Sequence, residues 1–369
     1  MGVGPGPLEA VVTPSLSFWR GRRVLITGHT GFKGAWLCEW LNMLGAEVTG
    51  IALPPDSEPS LFELADLGSC VRSRFQDIRD RQTLCALVAE AEPEIVIHLA
   101  AQALVRRGYQ EPAETLETNV MGTAHVLDAV RFVSSVRCAL IVTSDKCYQL
   151  DPAQEPCREG DRLGGRDPYS ASKACAEIVT ECWRRSFLNR DSSPGVASAR
   201  AGNVIGGGDW SADRLIPDCV RAFRQGRSVE IRNPGAVRPW QHVLDALGGY
   251  LVLAERLRGD REQFGRAWNF GPDPAANRAV IEVVRQFAAN WKGAADWKIV
   301  EYAAFREAPV LLLDASRARR HLGWCPVLGP DDSVDWAAEW YIRQGEGENA
   351  SKLCAEQIER FHKRARGVA

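Results

Sequence analysis

Tyr169 and Lys173 stand four residues apart in Tyr169-Ser170-Ala171-Ser172-Lys173. On a helix they share one face, and an ammonium beside a phenol favours the phenolate by charge attraction. That makes Tyr169 a candidate base. A tyrosine four residues before a lysine is common on any solvated helix, so the pair alone identifies nothing. Upstream, Val142-Thr143-Ser144-Asp145-Lys146 reads as the end of a buried strand and adds a hydroxyl, an acid and a second amine. Ser144, Asp145, Lys146, Tyr169 and Lys173 are therefore the candidate catalytic set, near the carboxyl ends of strands, where open α/β sheets bind their ligands.

The elements that must position them begin at Val24-Leu25-Ile26-Thr27, an apolar run ending in Gly28-His29-Thr30-Gly31-Phe32-Lys33-Gly34. Trp36, Leu37, Trp40, Leu41 and Leu44 then recur at helical spacing. Strand, glycine turn and helix in that order suit a dinucleotide pyrophosphate, because glycines admit backbone close to phosphate and the helix start supplies N–H groups. The alternative is a purely structural glycine turn. Lys33 falls in the helix's first turn, where a cation is disfavoured unless an anion lies nearby. After a second strand over 47–51, an acid should meet the adenosine ribose. The chain instead reads Ala52-Leu53-Pro54-Pro55-Asp56, with no basic residue for a 2′-phosphate, so NAD is favoured over NADP.

Strand and helix continue to alternate. Phe75-Gln76-Asp77-Ile78 closes a third strand, 83–91 is helical, and 94–99 is a strand running into Ala100-Ala101-Gln102. A helix pattern passes through Asn119 to Val130, and a strand follows over 139–143. These units predict an α/β fold, a doubly wound parallel Rossmann-type sheet with a smaller α/β substrate-binding domain. The expected division is an arm over 1–17, a nucleotide-binding domain over 18–201 with a return segment near 240–265, mainly a substrate domain over 202–330, and a polar, partly helical tail over 331–369. Within 202–210, Gly206-Gly207-Gly208 is either a ligand clamp or a flexible connection.

Composition narrows the class. The 369 residues are 45% hydrophobic and 25% charged, with a net charge of -2, which argues against nucleic-acid and membrane-surface partners. No apolar run is long enough to span a membrane. Residues 1–14 are rich in Gly and Pro and lack the pattern of a secretory signal. Eleven scattered cysteines without a C-x-x-C pair fit reduced cytoplasmic thiols, with no disulfide framework and no metal site.

Together, GHTGFKG, TSDKCY, DPYSASK, RAGNVIGGGDW, RPWQHV and WNFGP fall in the order found in extended short-chain dehydrogenase/reductases acting on nucleotide sugars. Within that superfamily the chain resembles the CDP-glucose 4,6-dehydratases over roughly residues 18–326. The resemblance implies NAD as a hydride store and CDP-glucose as substrate. Tyr169 would deprotonate the sugar 4-hydroxyl, Lys173 would hold the ribose, Ser144 would bind the 4-hydroxyl and Asp145 would protonate the departing 6-hydroxyl. Gly28, Gly31 and Gly34 would carry the pyrophosphate, Asp77 and Ile78 would lie against the adenine, with Thr30, Phe32, Ala100, Ala101 and Asn119 also against the cofactor. Asn203, Arg238, Leu215 and Gln102 would meet the nucleotide sugar, with Asp213, Ile216 and Pro217 near the base. Lys146 stands where dehydratases of the TDP type carry glutamate; it is either the C5 base or an ammonium paired with Asp145. Two helices over 113–132 and 169–187 would form a homodimer or a dimer of dimers. Rival readings are a sugar-nucleotide 4-epimerase, which needs no acid for a leaving hydroxyl, and a nicotinamide-sensing protein without catalysis.

Overall fold

The computed structural model describes residues 11–150, 155–190, 192–300 and 310–367. Seven parallel strands form the central sheet: β1 (Arg23–Thr27), β2 (Glu47–Ala52), β3 (Arg72–Phe75), β4 (Ile95–His98), β5 (Cys138–Val142), β6 (Gly195–Ala201) and β7 (Ala267–Phe270). Their spatial order is β7-β6-β5-β4-β1-β2-β3, every neighbour parallel. The order reverses between β1 and β4, which opens a crevice at their carboxyl ends.

Both faces of the sheet are buried, as near-continuous apolar strands require. Side chains alternate along each strand. Leu25, Val96, Ala139 and Ile141 face one way and pack with Leu84, Val88, Val126 and Leu127 from helices Arg81–Ala91 and Gly122–Phe132. Val24, Ile26, Ile97 and Leu140 face the other way, under Trp36 and Trp40 of helix Phe32–Met43 and Leu247 and Leu251 of helix Val243–Gly259.

Beyond β6 the chain leaves the sheet to build the pocket's outer wall from helix Leu215–Arg224 and helix Val280–Asn290. Short pairings support it: Val229–Ile231 with Trp297–Ile299, and Val237–Arg238 with Arg278–Ala279. The chain's return to the sheet is longer than the 240–265 expected. Trp268 and Phe270 lie in β7, at the edge of the central sheet rather than in a second domain.

Two peripheral segments are more closely integrated than their composition suggests. The 331–369 tail holds most of two helices, Pro330–Gly345 and Ala350–Ala365, which bury Trp336, Trp340, Tyr341, Leu353 and Phe361. Residues 1–10 of the N-terminal arm lie outside the described residues. Its later part docks: Val12 N donates to Gly323 O at 3.2 Å, and Ser15 N and Trp19 Nε1 both donate to Glu255 Oε1 at 2.7 Å.

Candidate active site

The site forms where β5 ends. After Val142 the chain tightens into a short 3₁₀ turn, Asp145–Cys147, with Ser144 Oγ accepting from Lys146 N at 3.2 Å. Opposite it, helix Pro168–Ser186 starts with Pro168 in the first turn and Asp167 as its cap, Oδ1 accepting from Ser170 N at 2.9 Å. Tyr169 thereby enters the same cavity as Ser144, Asp145 and Lys146, a space of about 320 Å³ also lined by Lys33, Asn203, Leu215 and Arg238.

Burial raises the Tyr169 phenol above its ordinary range, while the positive charge of Lys146, a hydrogen bond with Ser144 and the charge of Arg214 pull it back. The main cation favouring the phenolate is thus Lys146, and Lys173 contributes less than helix spacing alone suggests. Lys173 is buried, and desolvation lowers it to about 8 against the upward pull of Glu177. Its charge is felt by His98 at the end of β4 and by Lys33, so it faces the crevice between β1 and β4.

Asp145 is 1% exposed. Its Oδ1 accepts from Ser144 Oγ at 3.0 Å, while Oδ2 has no hydrogen-bond partner among the described residues. A resting ion pair between Asp145 and Lys146 is therefore not what the structure adopts. Asn203 Oδ1 lines the same cavity and is likewise unpartnered. Two buried acceptors left bare in one cavity are costly unless a ligand's donors complete them.

The glycine turn has the form a dinucleotide needs. Gly28 has φ +79°, and a Cβ there would lie 2.6 Å from Ala100 N. A Cβ on Gly34 would lie 2.1 Å from Gly28 O, so helix and strand meet at van der Waals distance. Gly31 is open: a Cβ there would meet nothing nearer than Gly28 O at 3.5 Å. It precedes helix Phe32–Met43, whose first turn has no side-chain cap and no acidic residue, so the N–H groups there can receive a phosphate. These residues fit a pyrophosphate held by backbone.

The remaining predicted residues take varied places. Thr30 Oγ1 donates to Leu53 O at 2.9 Å and ties the turn to the segment after β2. The Phe32 ring lies toward Gly206. Asp77 is held below its ordinary value: burial works upward, but hydrogen bonds and charge from Arg79 outweigh it. Ile78 packs on Gly122, where a Cβ would come within 2.5 Å of its Cδ1. Ala100 follows β4, its N–H donating to Thr27 Oγ1 at 3.3 Å; Ala101 comes next, half-buried.

Asn119 sits in a π-helical turn, Glu117–Met121. It joins Gln102 N at 2.8 Å and Ser172 Oγ at 2.8 Å, linking the β4 crevice to the tyrosine helix. Gln102 turns inward, accepting from Leu104 N at 2.6 Å and donating to Thr115 Oγ1 at 2.9 Å, and does not line the cavity. Leu215, Ile216, Pro217, Asp213 and Arg238 do line it.

Sequence reasoning gave no role to Glu177, Arg200 or Arg214. Arg214 lines the cavity and pairs with Asp209 at 2.9 Å. Lys33, flagged only as an ill-placed cation, lines it too; burial lowers its amine to about 7, Arg214 and Lys173 add to this, and Asp145 and Asp209 oppose it. Glu177 is four residues beyond Lys173 on a largely buried helical face, which was a legible signal.

Fold and constellation together define an extended short-chain dehydrogenase/reductase. The chain belongs to the GDP-mannose 4,6 dehydratase family, whose model matches residues 25–335. It is 45% identical over 337 residues to CDP-glucose 4,6-dehydratase of Salmonella typhimurium, covering 90% of this chain and 94% of that protein. It is 26% identical to dTDP-glucose 4,6-dehydratase of Neisseria gonorrhoeae, covering 87% and 96%. Among solved structures, an epimerase from Methanothermobacter thermautotrophicus superposes with a TM-score of 0.77 at 22% identity, covering 90% and 95%. The NAD complex of dTDP-glucose 4,6-dehydratase from Bacillus anthracis superposes at 0.73 with 20% identity, covering 88% and 97%.

Proposed function

We propose that this protein is an NAD-dependent nucleotide-sugar 4,6-dehydratase that converts CDP-D-glucose to CDP-4-keto-6-deoxy-D-glucose. The observation that carries the reading is the buried Asp145 carboxylate, one oxygen unpartnered, in the same cavity as Tyr169, Ser144 and Lys146. A 4-epimerase needs the tyrosine and lysine but no acid for a departing hydroxyl. The 45% identity to a CDP-glucose 4,6-dehydratase supports the same choice.

NAD, when bound, stores the hydride taken from C4 and returns it to C6. Tyr169 takes the proton of the 4-hydroxyl, its phenolate favoured by Lys146, and Ser144 steadies the same oxygen. The 4-ketone acidifies C5; with the Lys146 proton passed to Asp145, the neutral Lys146 amine removes the C5 proton and the Asp145 acid protonates the leaving 6-hydroxyl, so that water departs across C5 and C6. Gly28, Gly31 and Gly34 hold the cofactor pyrophosphate and Lys173 faces its ribose. Asn203 and Arg238 grip the CDP phosphates, a planar fork suiting the arginine. Asp213, Leu215, Ile216 and Pro217 surround the base.

Incubation with CDP-glucose deuterated at C4 tests the reading: the product carries deuterium at C6 without added reductant. Deuterium accumulating in free cofactor marks an ordinary dehydrogenase, and a C4 epimer without ketone marks an epimerase. Equal turnover of TDP-glucose removes the base assignment alone. The Lys146→Met variant should still form NADH yet lose exchange of the C5 proton with solvent; normal exchange leaves Lys146 an electrostatic role.

A homodimer is part of the same reading. Leu116, Met121, Phe132, Ile178 and Phe187 are exposed on the two adjacent helical segments that run to 132 and from 168, with Arg131 lying over both the Phe132 and Phe187 rings at 4.5 Å. Exposed apolar side chains on two adjacent helices fit a four-helix contact with a second copy. A sedimentation mass of one chain, 40.6 kDa, across micromolar concentrations would reject it. Among the described residues no helix is long and apolar enough to cross a membrane, and all eleven cysteines are free, which supports a cytoplasmic enzyme.

A further inference from the structure

Beneath the site lies a polar cluster that the reaction as described does not use. Glu177, 4% exposed and one helical turn past Lys173, accepts from three side chains. Thr143 Oγ1 donates to its Oε1 at 2.5 Å, while Ser198 Oγ and Arg200 Nη2 each donate to Oε2 at 2.7 Å. Thr143 leads directly into Ser144, and Ser198 and Arg200 belong to β6. The carboxylate therefore fastens the tyrosine helix to the ends of two strands. Arg200 continues the network, donating to Tyr148 Oη at 2.8 Å, and Tyr148 donates to Asn269 Oδ1 at 2.6 Å in β7.

The groups facing Lys173 come from several elements. On its own helix are Tyr169, protonated at rest, and Glu177. From the turn after β5 comes Cys147, whose thiol burial holds protonated. From β4 comes His98, held neutral by burial at about 3, and from helix Phe32–Met43 comes Lys33, whose amine burial lowers to about 7. Glu177 is thus the carboxylate among these that opposes the loss of the Lys173 proton.

We propose that Glu177 is a positioning residue for this reaction: clamped between Thr143, Ser198 and Arg200, its carboxylate is the countercharge that keeps Lys173 protonated and aimed into the cofactor crevice. An ordinary structural ion pair would hold the helix to the sheet without setting the state of Lys173. The inference rests on the dehydratase reading only for its kinetic arm.

The direct readout is competitive labelling of Lys173 with acetic anhydride in the substrate-free protein, followed by peptide mass spectrometry across pH. At pH 7 an amine of pKa about 8 is roughly one-tenth neutral, and a downward shift of one unit makes it about half neutral. Glu177→Gln is expected to raise Lys173 labelling at pH 7 about fivefold and to move the alkaline limb of kcat down by about one pH unit. Glu177→Asp keeps the charge, and Ser198→Ala removes one hydrogen bond while keeping it; both should label like the wild type. Labelling of Glu177→Gln within twofold of wild type, with an unmoved limb, overturns the proposal.

Glu177→Gln leaves Arg200 buried without its partner, so Glu177→Gln/Arg200→Gln provides a neutral pair with the same expected labelling. If neither variant accumulates folded, the residue is a structural ion-pair member and the proposal falls. Failure of CDP-glucose to react in the wild type would remove the dehydratase reading while leaving the labelling result decisive for Glu177.

Discussion

The two glycine-rich loops, 28–34 and 206–208, differ in what stands where a Cβ would be added to their glycines. In the first, Gly28 and Gly34 are closed by the protein's own backbone, but Gly31 is left open, with nothing within 3.5 Å of where a Cβ would stand. In the second, the space at every glycine is already filled by a side chain: Val243 at 2.8 Å from a Cβ on Gly206, Trp340 at 2.0 Å from one on Gly207, and Leu61 at 2.8 Å from one on Gly208. Trp36 Nε1 also donates to Gly207 O at 2.8 Å, and Tyr341 Oη donates to Asp209 O at 2.5 Å. The loop is thus neither a flexible connection nor mainly a clamp; helix Pro330–Gly345 together with Trp36, Leu61 and Val243 locks it in place, and only Gly206 among its three glycines lines the cavity. A glycine marks a close approach, and only the structure says whether protein or ligand makes it.

Breaking the second loop should have the largest effect. Trp340 is fully buried, so Trp340→Ala should cost about 3–5 kcal/mol of unfolding free energy. Gly207→Ala should cost about 3 kcal/mol by overpacking against the same ring. Because the two share one contact, the double variant should be less destabilised than the sum by more than about 1 kcal/mol. Denaturant midpoints of the four proteins measure this. Strict additivity would mean that the Trp340 ring does not occupy the space above Gly207.

The first loop carries two titratable groups, His29 and Lys33, and the second carries none. His29 is fully buried, its Nε2 within 2.6 Å of Ser73 Oγ, and burial lowers its pKa to about 4. An unfolded histidine titrates near 6.5, so below that pH the unfolded chain takes up a proton that the native loop refuses until about 4. Native stability should therefore fall as pH drops from 6.5 toward 4, by about 1.4 kcal/mol per pH unit from this residue. Buried His98 and His242, both lowered to about 3, act in the same direction. His29→Gln should make the fall between pH 6.5 and 5 shallower by about 2 kcal/mol. An unchanged slope in denaturant melts would show that the ring is already protonated in the native loop.

The contrast also explains what could be read from the sequence. The β1 run, its glycine turn and the Tyr169–Lys173 spacing are local patterns, and local patterns set strands, turns and helix faces. Gln102 was harder: it follows the right strand, but whether its amide faces ligand or Thr115 depends on a helix supplied later in the chain. The tail reads as polar and only partly helical in sequence, because the apolar stripes through Trp336, Trp340, Leu353 and Phe361 are diluted by the charged outer faces of both helices. That 267–270 joins the central sheet from within a stretch expected to be mainly second domain is not legible locally, because a four-residue strand does not say which sheet it joins. Lys146 stands out in the sequence beside Asp145, yet its place as the first charge acting on Tyr169, ahead of Lys173, depends on three-dimensional placement.

The smallest effect is the sharpest test of the comparison. Gly31 has φ −78° and ψ 168°, a conformation open to any residue, so Gly31→Ala adds no backbone strain. Its methyl would meet only Gly28 O at ordinary contact distance, so the fold should be nearly unaffected, within about 1 kcal/mol for a changed helix cap. The same methyl would occupy the space through which a pyrophosphate reaches the N–H groups of helix Phe32–Met43. NAD affinity should therefore fall at least tenfold, about 1.4 kcal/mol, as read by calorimetric titration of the folded variant. Gly207→Ala should show the reverse pattern, a destabilised protein whose folded fraction binds NAD as the wild type does. If Gly31→Ala binds NAD at wild-type strength, the first loop is a structural turn like the second, and the opening at Gly31 has no ligand to admit.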